Sequence, residues 1–143
     1  SSAASDVYKR QIFGYTILND VSARDVQTAH KQWYFGKSLD GFTPIGPCIV
    51  TADAFADYPP RLGIRSFVNG EKRQDSNTAL QIFDIDHVIA ELSQGMTLKA
   101  GTIIATGTPA GVGMGMDPPQ FLKPGDVVRC EIEGIGTLTN PVK

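Results

Sequence analysis

Three short segments of this sequence carry residue types from which a reactive site is built. In "NDVSARDVQ" (residues 19–27), Asp20, Arg24, Asp25 and Gln27 fall within nine positions. In "FGKSLDGFTPIGP" (35–47), Lys37 stands between Gly36 and Ser38, with Asp40 shortly after. In "ATGTPAGVG" (105–113), Thr106 and Thr108 lead into a run of glycines. A carboxylate suits a hard divalent cation, which prefers oxygen ligands. An arginine offers a forked donor for a carboxylate, and a lysine can place charge where an oxyanion develops. Each segment also has a plainer reading. Asp20 and Asp25 can cap a helix with Arg24 paired to either, Lys37 can be a solvated surface lysine, and the glycine-rich run can be an ordinary turn. A phosphate-binding P-loop is excluded: residues 36–38 read GKS, but the position where that motif needs its first glycine is Lys31.

The elements that position these residues read mainly as strands. With 15 glycines and 9 prolines the chain turns often. "IRSFVNGEKRQ" places Asn69-Gly70 between two short extended runs, the pair of residues that a two-residue hairpin needs because both central positions take φ > 0. "GDVVRCEIEGIGTLTNPV" alternates Val128, Cys130 and Ile132 against Arg129, Glu131 and Glu133, and Gly134 and Gly136 then interrupt it before Leu138. This predicts a second hairpin or a bent strand. "GTIIATGTPAGVGMG" predicts a short buried strand running into the glycine-rich loop. Helical spacing appears in "DIDHVIAELSQG", where Ile85, Val88, Ile89 and Leu92 share a face and Gly95 can close the end. "SARDVQTAHKQW" is a shorter helix or turn, with Ser22 as its N-cap. His30 in this stretch reads as a surface histidine rather than a base. No internal repeat or linker is visible, so the fold class is α+β, mostly β, in one domain.

Composition narrows the class. The chain has 143 residues, 41% hydrophobic and 20% charged, enough for one domain with a core. A net charge of −2 without runs of one sign argues against a nucleic-acid surface, which needs clustered Lys and Arg. No apolar stretch approaches the roughly 20 residues that span a bilayer, and no apolar signal-peptide core is present. Cys48 and Cys130 lie far apart with no CxxC spacing and read as two reduced thiols. The reading is a soluble cytoplasmic domain with no membrane or nucleic-acid partner.

Taken together and in order, N-D-x-S-A-R-D-x-Q, G-K-S-x-D-x-F-x-P-x-G-P and T-G-T-P-x-G-V-G resemble the motif set of the fumarylacetoacetate hydrolase family, over Ile12 to Lys143. The resemblance implies a mixed β-roll, a homodimer, Mg²⁺ or Mn²⁺, and a small 2-oxo or 1,3-dioxo acid as substrate. The chemistries it implies are C–C bond hydrolysis, decarboxylation and isomerisation through a metal-stabilised enolate. Asp20 matches the family's metal-binding aspartate and Lys37 its active-site lysine, a catalytic and substrate-binding position. Arg24 and Gln27 match substrate-contacting positions, and Thr108 with the glycine N–H groups after it would hold the other end of the substrate.

One feature departs from that pattern. The family's other two metal ligands form a Glu-x-Glu pair a few dozen residues before the Asp20 motif. Here Ile12–Asn19 contain no acidic residue. The one Glu-x-Glu, Glu131 and Glu133, shares a strand face but stands at the wrong end of the motif order and reads as solvated. The leader offers a reason. SSAASDVYKRQ shows no helical or strand period, and all its residues match an in-frame translation of an adapter used in transposase-based sequencing libraries. Residues 1–11 are therefore expected to be non-native, and residues 12–143 the C-terminal part of the catalytic domain, with the β-roll incomplete at its N-terminus. Alone, that part is expected to be inactive and poorly soluble. The competing class is a non-catalytic relative that kept the fold and a small-molecule pocket but lost the metal.

Overall fold

The computed structural model describes residues 2–29, 31 and 33–143. Its elements run α1 (Ser2–Gln11), β1 (Gly14–Leu18), α2 (Arg24–Ala29), β2 (Ile45–Thr51), β3 (Gly63–Val68), β4 (Glu71–Asn77), α3 (Ile85–Ser93), β5 (Val127–Ile132) and β6 (Gly136–Pro141). Two antiparallel sheets result, one of β1 and β2, the other in the order β4-β3-β5-β6. The first hairpin forms where Asn69-Gly70 predicts it, with φ of 52° and 84° at those two residues. Asn69 also ties this turn to β5: its amide donates to Asp126 Oδ1 at 2.8 Å, and its Oδ1 accepts from the Val127 N–H at 2.9 Å. The second hairpin forms from the alternating run, with Cys130 opposite Leu138 and Ile132 opposite Gly136.

α3 presents the expected face. Ile89 is buried and Ile85, Val88 and Leu92 are half-buried beside it. Asp84 caps the helix by accepting from the His87 N–H at 2.8 Å. α1 packs against α3.

Two expectations are corrected. The leader, where no period was legible, is helical from Ser2 to Gln11. Its alanines are good helix formers, and Lys9 and Arg10 in the last turn complement the helix dipole. The buried strand expected near residues 101–106 does not form: these residues join no ladder, and Ile103 is 60% exposed. An apolar run becomes a strand only where another strand offers its N–H and C=O groups. None of the described strands does so here.

The buried apolar centre is small: Ile17, Ile89, Val128 and Ile135. The chain exposes 9856 Å², whereas a folded monomer of its mass exposes about 7,200 Å². Phe13, Trp33, Tyr34, Leu80, Ile82 and Phe83 are among the large apolar side chains left outside. Among the described residues, no helix is long and apolar enough to cross a membrane.

Both cysteines are free thiols. Cys48 is exposed, while burial among the strands pushes the Cys130 thiol above its ordinary pKa. Because the thiolate is the reactive form, iodoacetamide at neutral pH is expected to label Cys48 before Cys130. Peptide mass spectrometry over a time course would check the order.

Candidate functional site

The candidate residues Asp20, Arg24, Gln27 and Lys37 all lie on the connection from β1 to β2. At its ends, the Asn19 N–H donates to the Pro44 carbonyl at 3.0 Å, which closes the connection into a loop. Within it, α2 lies against a 3₁₀ turn over Phe35–Lys37. The Ala23 N–H donates to the Gly36 carbonyl at 2.8 Å. A β-carbon on Gly36 would stand 2.8 Å from the Gln27 backbone nitrogen and 2.9 Å from the Ala23 carbonyl oxygen. Only a residue without a side chain allows the two segments to meet this closely.

That contact brings Lys37 to Asp20 across 17 positions of sequence: its ammonium donates to the Asp20 carboxylate, and to Ser22 Oγ at 3.2 Å. The Ser22 hydroxyl donates to the Asp20 carbonyl at 3.1 Å, so Ser22 braces this pair instead of capping α2 as expected. The Asp20 and Lys37 side chains are 41% and 25% exposed. Ion pairs open to water contribute only about 0–1 kcal/mol, so an arriving ligand can separate these two at little cost. Thr43 holds the turn from the other side by donating from Oγ1 to the Lys37 carbonyl at 2.9 Å. It does so at a φ of 55°, a strained conformation for a β-branched residue.

On α2, Arg24 Nη1 donates to Gln27 Oε1 at 2.8 Å, and Gln27 is only 4% exposed. A guanidinium can only donate, so the amide oxygen faces Arg24 and the donating end of Gln27 is turned elsewhere. Arg24, Gln27 and Lys37 thus present hydrogen-bond donors or positive charge on the same loop as the Asp20 carboxylate. Such a set complements an anionic ligand rich in oxygen.

Thr108 is held separately, on β4. Gln74 Nε2 donates to Thr108 Oγ1 and to the Pro109 carbonyl, each at 2.8 Å. The following loop touches the same strand: a β-carbon on Gly111, whose φ is 108°, would stand 2.1 Å from the Arg73 carbonyl oxygen. No hydrogen bond among the described residues joins Thr108 to the Asp20–Lys37 pair. Ser66 and Gln74 are the supporting residues that the motifs do not reveal. Gln74 meets Thr108 across 34 positions of sequence, so no local pattern marks that contact.

Glu131 and Glu133, expected to be solvated, both have partners. Glu131 pairs with Arg129 at 3.2 Å, and Glu133 Oε2 accepts from the Gly63 N–H at 3.1 Å. Among the described residues there is no group of three His, Cys, Asp or Glu side chains placed to hold a metal ion. His30 lies outside the described residues.

The sequence profile of the family described as fumarylacetoacetate (FAA) hydrolase C-terminal matches residues 2–143. The chain belongs to the fumarylacetoacetate hydrolase family. Within it, the chain is 51% identical over 131 residues to the oxaloacetate tautomerase YisK of Bacillus subtilis, covering 92% of this chain and 43% of that protein. A mitochondrial oxaloacetate tautomerase of Xenopus laevis is 50% identical, with 92% and 41% covered. Among solved structures, a fumarylacetoacetate hydrolase from Exiguobacterium antarcticum superposes with a TM-score of 0.93 at 53% identity, over 97% of this chain and 50% of that one. A 2-hydroxyhepta-2,4-diene-1,7-dioate isomerase from Mycobacterium marinum superposes with a TM-score of 0.83 at 46% identity, over 96% and 50%. The chain therefore has the fold of this hydrolase family, and it spans about two fifths of the length of these curated relatives.

Proposed function

We propose that the full-length protein is an enzyme of small 2-oxo or 1,3-dioxo acids, and that it interconverts the enol and keto forms of a substrate like oxaloacetate. The observation that carries this reading is the Lys37 ammonium joined to Asp20 beside the donors of Arg24 and Gln27. Relatives named as oxaloacetate tautomerases support the choice of reaction. In this reading Arg24 and the free end of Gln27 bind the carboxylate, while Thr108 donates to the far end of the substrate. Transfer of a proton from the carbon beside the carbonyl to a base supplied from outside the described residues leaves an enolate, whose negative charge gathers on oxygen. Lys37 is the catalytic cation for that oxygen, and reprotonation at carbon or at oxygen selects keto or enol.

The described residues do not by themselves fit a Mg²⁺ or Mn²⁺ site. Asp20 offers one carboxylate, already paired with Lys37, where a hard cation takes several oxygen ligands. An ion bound at Asp20 would draw its further protein ligands from outside the described residues. Its contribution would be Lewis acidity toward the substrate oxygens.

The reading includes assembly and extent. A homodimer is proposed for the full-length protein on the family resemblance. Residues 1–11 are proposed to be adapter-derived and residues 12–143 to be inactive alone. Two free thiols fit the reducing cytoplasm proposed as its location.

Stopped-flow ultraviolet spectroscopy of enol decay, with full-length protein and oxaloacetate, tests the function. Saturable acceleration is expected, lost in EDTA and restored by Mg²⁺ or Mn²⁺. Acceleration that survives EDTA would remove the metal and leave the oxo-acid reading standing. Saturable binding of oxalate without turnover of any oxo acid would replace it with the non-catalytic binding protein.

A further inference from the structure

Thr108 is held by a chain of hydrogen bonds whose direction is set by chemistry. The Pro109 carbonyl can only accept, so the end of the Gln74 amide that lies 2.8 Å from it must be the nitrogen. The same nitrogen lies 2.8 Å from Thr108 Oγ1, and an amide nitrogen only donates. At the other end, Gln74 Oε1 accepts from the Ser66 hydroxyl at 2.7 Å. All three polar positions of the Gln74 amide are engaged by protein, and the amide cannot flip without setting its oxygen against the Pro109 carbonyl oxygen.

The consequence falls on Thr108. Its oxygen already receives a proton from Gln74, so its own proton points to another acceptor. Thr108 is exposed, and no acceptor among the described residues takes that proton. We infer that Ser66 and Gln74 turn the Thr108 hydroxyl hydrogen away from Gln74 and leave it free to donate, so that this loop favours a substrate end presenting an ionised carboxylate or another bare acceptor oxygen. The inference rests on the oxo-acid reading and adds to it the chemistry of the far end of the substrate. Gln74 is a positioning residue that acts through Thr108, and Ser66 holds Gln74.

The test uses steady-state kinetics of the full-length protein with oxaloacetate, together with melting curves. Gln74→Glu reverses the chain, because a carboxylate would accept the Thr108 proton and turn the threonine lone pairs toward the substrate. KM is expected to rise roughly tenfold or more, with kcat changed much less. Thr108→Val should raise KM similarly, Thr108→Ser, which keeps the hydroxyl, should raise it much less than Thr108→Val, and Gln74→Met, which leaves the hydroxyl unoriented, should fall between wild type and Thr108→Val. The Gln74→Glu, Thr108→Val double variant should be no worse than Thr108→Val alone, since both act through one hydroxyl. If the charged substitution lowers the melting temperature, Gln74→Met and the two Thr108 variants carry the test. Wild-type KM in Gln74→Met or in Thr108→Val, or additive losses in the double variant, would overturn the inference while wild-type turnover keeps the functional reading. A wild-type protein that turns over no oxo acid would overturn both.

Discussion

Replacing Lys37 with methionine is expected to lower kcat of the full-length protein on oxaloacetate by about 10²–10³-fold, the loss typical when a preorganised donor to an oxyanion is removed. Methionine keeps much of the side-chain length and removes the charge, so the 3₁₀ turn and its contact with α2 should survive. KM should move far less than kcat, because the charge on the substrate oxygen is largest once the proton has left carbon. Lys37→Arg should not rescue, since a planar fork cannot take the place of a compact ammonium between the Asp20 carboxylate and Ser22 Oγ. Asp20→Ala should lose at least as much, because it also releases Lys37 from its brace. Stopped-flow measurement of enol decay reads all three variants. An unchanged kcat in Lys37→Met would remove Lys37 from the chemistry and leave it a surface ion pair worth about 0–1 kcal/mol.

Gly36→Ala is expected to damage both stability and turnover without removing a single polar group. The new β-carbon would meet the backbone of α2 and of the residue before it, not the end of a flexible side chain: the Gln27 nitrogen at 2.8 Å and the Ala23 carbonyl oxygen at 2.9 Å. Relief requires α2 and the turn to separate, which would strain or break the Ala23–Gly36 hydrogen bond and move Lys37 away from Asp20. Overpacking of this kind costs about 1–3 kcal/mol, and misplacement of a reacting group by about 1 Å can cost about 10²-fold in rate. Gly95→Ala is the control, because nothing lies within 4 Å of its added carbon and its φ is not in the left-handed region. It should change stability by no more than about 0.5 kcal/mol. Chemical denaturation and enol-decay rates on the two variants check the contrast. Equal behaviour would mean that the close approach of α2 and the turn does not hold the site together.

Legibility in the sequence followed the range of the interaction. Asn69-Gly70 announced its hairpin because both residues need positive φ. The alternation of Val128, Cys130 and Ile132 announced β5, and the spacing of Ile85, Val88, Ile89 and Leu92 announced the inner face of α3. These are properties of neighbouring residues. The motif set also revealed the family, since three short patterns in a set order are specific even where each alone is weak. The strand expected near residues 101–106 went wrong for the complementary reason: apolar content is local, but a ladder needs a partner. The helix at Ser2–Gln11 escaped notice because helix-forming residues without an apolar stripe leave no period to read.

By itself, then, the sequence determined which short stretches turn, pair or coil, and which candidate residues were at hand: Asp20, Arg24, Gln27, Lys37 and Thr108 in three separate motifs. Only the tertiary structure decided their company. It set Lys37 on Asp20 across 17 positions and Gln74 on Thr108 across 34, and it kept Thr108 on a different strand system from the other four. Hydrogen-bond direction was decided there too, because an amide or a hydroxyl has no fixed polarity until a carbonyl or a guanidinium stands beside it. Local stereochemistry is written residue by residue, whereas contacts between distant side chains follow from how the chain closes on itself.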